Sequence, residues 1–125
     1  MLTALDVQYT HDGGGAAHAA AVVFDSWDSE ASAAEYTSVQ SPVADYEPGK
    51  FYQRELQPLL QVISRIKEPV ETIIIDGYCH LSTDGAPGLG AWLAEALPEP
   101  VPIVGVAKNP YRGSAHAISV LRANS

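Results

Sequence analysis

Three carboxylates in this chain occupy positions where a charge is costly. Asp6 interrupts an alternating segment in which Leu5, Val7 and Tyr9 are set against Ala4, Asp6 and Gln8. Asp76 closes a run of three isoleucines, Ile73 to Ile75, and Glu55 falls on an apolar helical stripe with Phe51, Leu59, Val62 and Ile66. A lone buried acid is unfavourable unless it is paired or bound to a cation. If the segment carrying Asp6 lies beside the one ending in Asp76, the two acids can stand side by side, and the helix can bring Glu55 over them. Three converging carboxylates repel one another, and a hard cation such as magnesium relieves that repulsion with oxygen ligands. Taken singly, each acid reads equally as a strand-end cap or as a rim acid paired to Arg54 or Lys108.

Two further positions carry chemistry. Lys108 follows the apolar run Ile103 to Ala107, so it projects from the carboxyl edge of a strand. There it could meet a phosphate, or the charge that develops when one is cleaved; the alternative is a solvated loop lysine. Tyr46 stands in the Pro/Gly-stiffened loop Asp45-Tyr46-Glu47-Pro48-Gly49. An exposed ring there could stack on a base or wedge between two, although packing on the domain edge is the commoner use. The four histidines have no metal-site spacing. Cys79 and His80 are adjacent, so on a strand they point to opposite faces, and nothing beside Cys79 marks an activated thiol. Gly13-Gly14-Gly15 lacks the Gly-Lys-Ser/Thr and helix that would make it a phosphate loop.

These residues need a scaffold. The chain has 125 residues and one cysteine, which gives a single domain and no internal disulfide. With 46% hydrophobic and 18% charged residues it is an ordinary globular composition, not a disordered or fibrous one. No apolar run is long enough for a membrane span, and a cytoplasmic protein without membrane attachment is expected. The net charge is -8 and lies almost wholly in residues 1–50, which hold eight acids and one base. Such a chain is a poor coater of nucleic acid unless a cation offsets its acids.

Alternation predicts strands over residues 3–10, 16–25 and 35–40, the first two joined by a glycine turn as a hairpin. A helix follows over residues 51–66, with a kink or break at Pro58. The isoleucine run, residues 71–76, reads as a strand buried on both faces, and residues 103–107 as another buried parallel strand. A second helix covers residues 89–97, and residues 115–122 read as a last strand. Three antiparallel strands followed by βαβ units give a mixed α/β sheet with flanking helices, the order of the ribonuclease H-like fold.

In order, these segments resemble the endonuclease V family. The resemblance rests on Ala4-Leu5-Asp6-Val7-Gln8-Tyr9, on Tyr46-Glu47-Pro48-Gly49 followed by Arg54-Glu55, and on Ile75-Asp76-Gly77. It continues through Gly88-Leu89-Gly90-Ala91-Trp92-Leu93 to Gly105-Val106-Ala107-Lys108. It is closest to a branch of short bacterial members. It implies a ribonuclease H-like fold, dependence on Mg2+ with Mn2+ as a substitute, and cleavage of a phosphodiester near inosine in DNA or RNA. By the same resemblance Asp6 and Asp76 are metal ligands and Glu55 a ligand directly or through water. Asp6, Glu55, Asp76 and Lys108 form the catalytic set, while Tyr46, Pro48, Gly49 and Lys108 meet the nucleic acid. After Asp76-Gly77 the family usually has a Gly-rich segment with a histidine several residues on. Here Tyr78-Cys79-His80-Leu81-Ser82 follows, with the histidine at another spacing.

The single domain, residues 1–125, is expected to lack the family's N- and C-terminal extensions. Two other functions compete: a shortened homologue that keeps the fold without cutting, and a receiver-like phosphoacceptor with Asp6, Asp76 and Lys108 as its acidic pocket. The apolar segment 115–122, left at a sheet edge, leads to the expectation of a homodimer or larger assembly through that segment or another sheet edge.

Overall fold

The computed structural model describes residues 1–10, 15–41, 51–108 and 115–120. Alternation builds its first half. β1 (Leu2–Thr10) pairs antiparallel with β2 (Ala16–Phe24), and β2 pairs antiparallel with β3 (Ala34–Gln40). On its buried face the middle strand carries three alanines, Ala17, Ala19 and Ala21, before Val23, all essentially buried. Alanine is a weak strand former, but its short side chain lets a helix settle close to the sheet.

That helix is α1 (Phe51–Ile63), and the chain continues through β4 (Thr72–Asp76), α2 (Leu89–Ala96) and β5 (Ile103–Val106). The sheet order is β3-β2-β1-β4-β5, with β4 parallel to both β1 and β5. Leu5, Ala19, Ala21, Ile73 and Ile75 from the sheet meet Leu59, Val62, Leu89 and Leu93 from the two helices in one core. This is the mixed, ribonuclease H-like α/β arrangement that the element order predicts. Three consecutive antiparallel strands with no helix between them also remove the receiver-like reading, which requires regular βα alternation. Among the described residues no helix is long and apolar enough to cross a membrane.

Three expectations need correction. First, of the kink or break expected at Pro58, the break is absent: α1 continues through it. A proline cannot donate to the carbonyl four residues earlier, here that of Arg54, and the Tyr9 hydroxyl donates to this oxygen instead, at 3.3 Å. The helix then ends at Ile63, where Arg65 and Ile66 bond back three residues rather than four. Second, β5 is not buried. It is the last strand in the sheet order, and Val104 and Val106 are exposed on the face away from the helices. An apolar run reports hydrophobicity, not which side receives a cover. Third, residues 115–120 form no strand: Ile118 and Val120 are almost fully exposed. Alternation becomes a strand only where a neighbour's backbone groups receive it, and here the segment is instead fastened by His116, whose Nε2 bonds the His80 carbonyl at 2.9 Å.

The turn after β4 is set by two glycines. Gly77 has a φ of 142°, which a side chain would resist. Opposite it, Gly105 in β5 leaves the space into which the backbone of Gly77 to Cys79 folds. A Cβ at Gly105 would collide with the Gly77 carbonyl oxygen and lie 3.0 Å from the Cys79 nitrogen. Gly105→Ala is therefore expected to lower stability by about 1–3 kcal/mol, the usual range for overpacking, as measured by urea denaturation.

Candidate active site

Parallel pairing between β1 and β4 runs from Leu2 opposite Thr72 to Ala4 opposite Ile74. Two residues further along each strand stand Asp6 and Asp76. The outer partners continue past this point: β1 stays paired with β2 as far as Thr10 opposite Ala16, and β4 stays paired with β5 at Asp76 opposite Val106. The sheet thus forks, and the two aspartates flank its mouth at the carboxyl ends of parallel strands, where α/β sheets take their ligands. Leu5 and Ile75 point into the core, so one residue on, Asp6 and Asp76 emerge together on the other face; both are exposed. The Val7 N–H donates to Asp6 Oδ1 at 2.9 Å.

Glu55 approaches from the helix layer, in the second turn of α1, and is half-buried. Burial is the main cause that raises its pKa above the ordinary value. A hydrogen bond from the Tyr9 hydroxyl opposes this, the Asp6 charge adds to it, the Arg54 guanidinium opposes it, and the Asp76 charge adds to it. Glu55 therefore lies within electrostatic reach of both aspartates. They are not drawn into a tight cage: among the described residues no three His, Cys, Asp or Glu side chains group closely enough to hold a metal ion. The donor type nevertheless suits a hard divalent cation: Asp6 and Asp76 on the open face and Glu55 on the helix side are all carboxylates, and the first two raise the proton affinity of the third.

Lys108 is exposed, two residues beyond the Val106 that pairs with Asp76, at the same edge of the sheet. Tyr46, Pro48 and Gly49 lie outside the described residues. Cys79 is half-buried, its thiol bonds the Ile103 carbonyl at 3.5 Å, and burial pushes its pKa up, which disfavours the nucleophilic thiolate.

Tyr9 was legible in the sequence only as an apolar member of a strand. In the structure it sits under α1, with the Arg54 guanidinium carbon 4.2 Å from its ring centroid. Burial and the Glu55 charge push its phenol well above the ordinary range, so it remains a donor. The sequence signal that could have found it was Pro58, which obliges some other group to serve the Arg54 carbonyl.

The endonuclease V family model matches residues 1–124. The chain belongs to the endonuclease V family. The crystal structure of an endonuclease V from Streptomyces avermitilis superposes with a TM-score of 0.75 at 32% identity, covering 89% of this chain and 46% of that one. An endonuclease V structure from Bacillus subtilis gives a TM-score of 0.74 at 20% identity, with the same two coverages. The chain thus spans a little under half the length of either. A comparison with curated proteins gives no match.

Because folding raises the Glu55 pKa, the folded state carries a penalty that is complete above the folded pKa. It vanishes once the pH falls below the ordinary glutamate value of 4.5. In chelator at pH 7, Glu55→Gln is expected to melt a few degrees above the parent, and thermal scans at falling pH should show this advantage disappearing near pH 4.

Proposed function

We propose that this chain is a metal-dependent endonuclease of endonuclease V type, a cytoplasmic single-domain hydrolase that cleaves a phosphodiester near inosine in DNA or RNA. The observation that carries the reading is the coupling of Glu55 to both Asp6 and Asp76 at the fork, in a chain of this family. The Streptomyces relative that bears the endonuclease V name is 32% identical over 89% of this chain.

In this reading Asp6 and Asp76 hold Mg2+, for which Mn2+ substitutes, and Glu55 joins them directly or through a water. When bound, such an ion supplies an activated water and charge for the leaving oxygen. Lys108, from the neighbouring edge, holds the phosphate. Tyr46, in its loop with Pro48 and Gly49, wedges at the modified base. Exposed carboxylates beside a polyanion also explain why a chain of charge -8 needs a cation to take nucleic acid at all.

A second reading, a fold-keeping homologue that does not cut, draws support from the open spacing of the three acids among the described residues. End-labelled inosine-containing DNA and RNA, incubated with magnesium, manganese or EDTA, separates the two. Cleavage with either metal and none in EDTA supports the nuclease. Asp76→Asn should then lower the rate at least about 100-fold, the upper end of what even an outer-shell change costs a metal site. Tyr46→Ala should weaken binding to the modified strand and leave the melting temperature nearly unchanged. No cut strand with either metal, from a protein that still binds the strand, selects the second reading.

The same proposal includes self-association. Among the described residues β5 is the last strand of the sheet, with exposed Val104 and Val106 on it, the combination that invites strand pairing with another copy. Light scattering at micromolar concentration is expected to give a homodimer or larger; a monomer mass refutes it.

A further inference from the structure

We infer that Tyr9 is the positioning residue for Glu55: from the strand that carries Asp6, it grips the peptide unit and the side chains of Arg54 and Glu55 on α1. The inference rests on the reading of Glu55 as an acid of the nuclease site.

Pro58 supplies no N–H, so the Arg54 carbonyl loses its helical donor. The Tyr9 hydroxyl takes that place at 3.3 Å. This carbonyl belongs to the peptide bond that joins Arg54 to Glu55, so the bond fixes the backbone from which the carboxylate projects. The Tyr9 ring, meanwhile, lies under the Arg54 guanidinium at 4.2 Å, a cation–π contact that holds the preceding side chain. The hydroxyl also acts on the Glu55 carboxylate, whose charged form it favours. The bond to the carbonyl and the stack on Arg54 together tie the place of the helix on the sheet to the backbone that aims its acid.

The register gives the arrangement its purpose. Tyr9 is three residues beyond Asp6 on β1, and an odd offset puts the two on opposite faces. One strand thereby carries an aspartate on its open face and the clamp for the glutamate on its helix face. A shift of α1 along the sheet would have to break the Tyr9 contacts before it could move Glu55 relative to Asp6.

The test uses the full chain with Tyr9→Phe, Pro58→Ala and both together. Mn2+ affinity is read by calorimetry, and melting temperature is read in chelator. Tyr9→Phe keeps the ring and its stack on Arg54 but is expected to weaken Mn2+ binding by about tenfold, the worth of one hydrogen bond to a charged group. Pro58→Ala restores a helical N–H to the Arg54 carbonyl, so its Mn2+ affinity should match the parent. In that background Tyr9→Phe should cost less melting temperature, because no carbonyl is left unpaired, while its loss of Mn2+ affinity persists. Should Tyr9→Phe alone not fold, the double variant carries the comparison with Pro58→Ala.

Parent-like Mn2+ affinity in the Tyr9→Phe proteins, with loss of affinity in Glu55→Gln, overturns the inference and leaves the nuclease reading standing. Equal Mn2+ binding by the parent and Glu55→Gln overturns both.

Discussion

β1 and β4 pair for only three residues before they part, and the geometry of the candidate site descends from that parting. β4 is claimed on its other side by β5, whose pairing lasts through Asp76. β1 is claimed by β2 to the end of the hairpin. A strand whose outer partner reaches further than its inner one is drawn outward, since each ladder hydrogen bond has to be made somewhere. The turn after Asp76 then needs room, and the side-chain-free position at Gly105 provides it. Asp6 and Asp76 become neighbours across an opening instead of across a closed ladder.

The helix layer is fitted to this opening by a conflict between local and global preference. A proline within a helix costs roughly 3 kcal/mol, and one recovered hydrogen bond returns only about 1 kcal/mol. Pro58 is buried, which offsets part of this cost, but the unmet hydrogen bond falls on one carbonyl, next to Glu55. Local rules broken without an obvious gain tend to mark functional or strained positions. Here the broken rule recruits Tyr9, and Tyr9 links the strand of one acid to the helix of another.

Much of this was readable in the sequence because it depends on short-range pattern. Leu5, Val7 and Tyr9 gave β1 its period, three isoleucines gave β4 its interior place, and the absence of helical pattern before residue 41 gave three strands in succession. From those alone, Asp6 and Asp76 were candidates for a shared edge. What escaped was decided by the neighbours an element acquires. The run Ile103 to Ala107 is apolar enough for a buried strand, yet β5 ended at a sheet edge with one face open. Residues 115–120 alternate like a strand but meet no free ladder. Tyr9 reads as a core residue, and its hydroxyl gains meaning only when the Arg54 carbonyl is brought above it. The Asp45 to Gly49 loop, one of the five motifs that carry the family resemblance, lies outside the described residues.

The electrostatics explain why the acids are spread as they are. Asp6 and Asp76 are exposed, and water screens their charges at little cost. Glu55 cannot share that benefit, because half its surroundings are protein. Closing the three to about 4 Å would set each pair of charges against the other by roughly 4 kcal/mol at an effective dielectric of 20. Three such pairs would consume most of the 5–15 kcal/mol that holds a typical domain together. The open fork avoids this repulsion while keeping each acid within reach of the others, and Arg54 and Tyr9 stabilise the one charge that is partly buried. A divalent cation would reverse the sign of the local field, so the arrangement that best tolerates the three charges alone is also one from which they can converge. The residues that hold Glu55 between these two demands are Arg54 and Tyr9, and neither needs to touch the ion to set how far the carboxylate must travel.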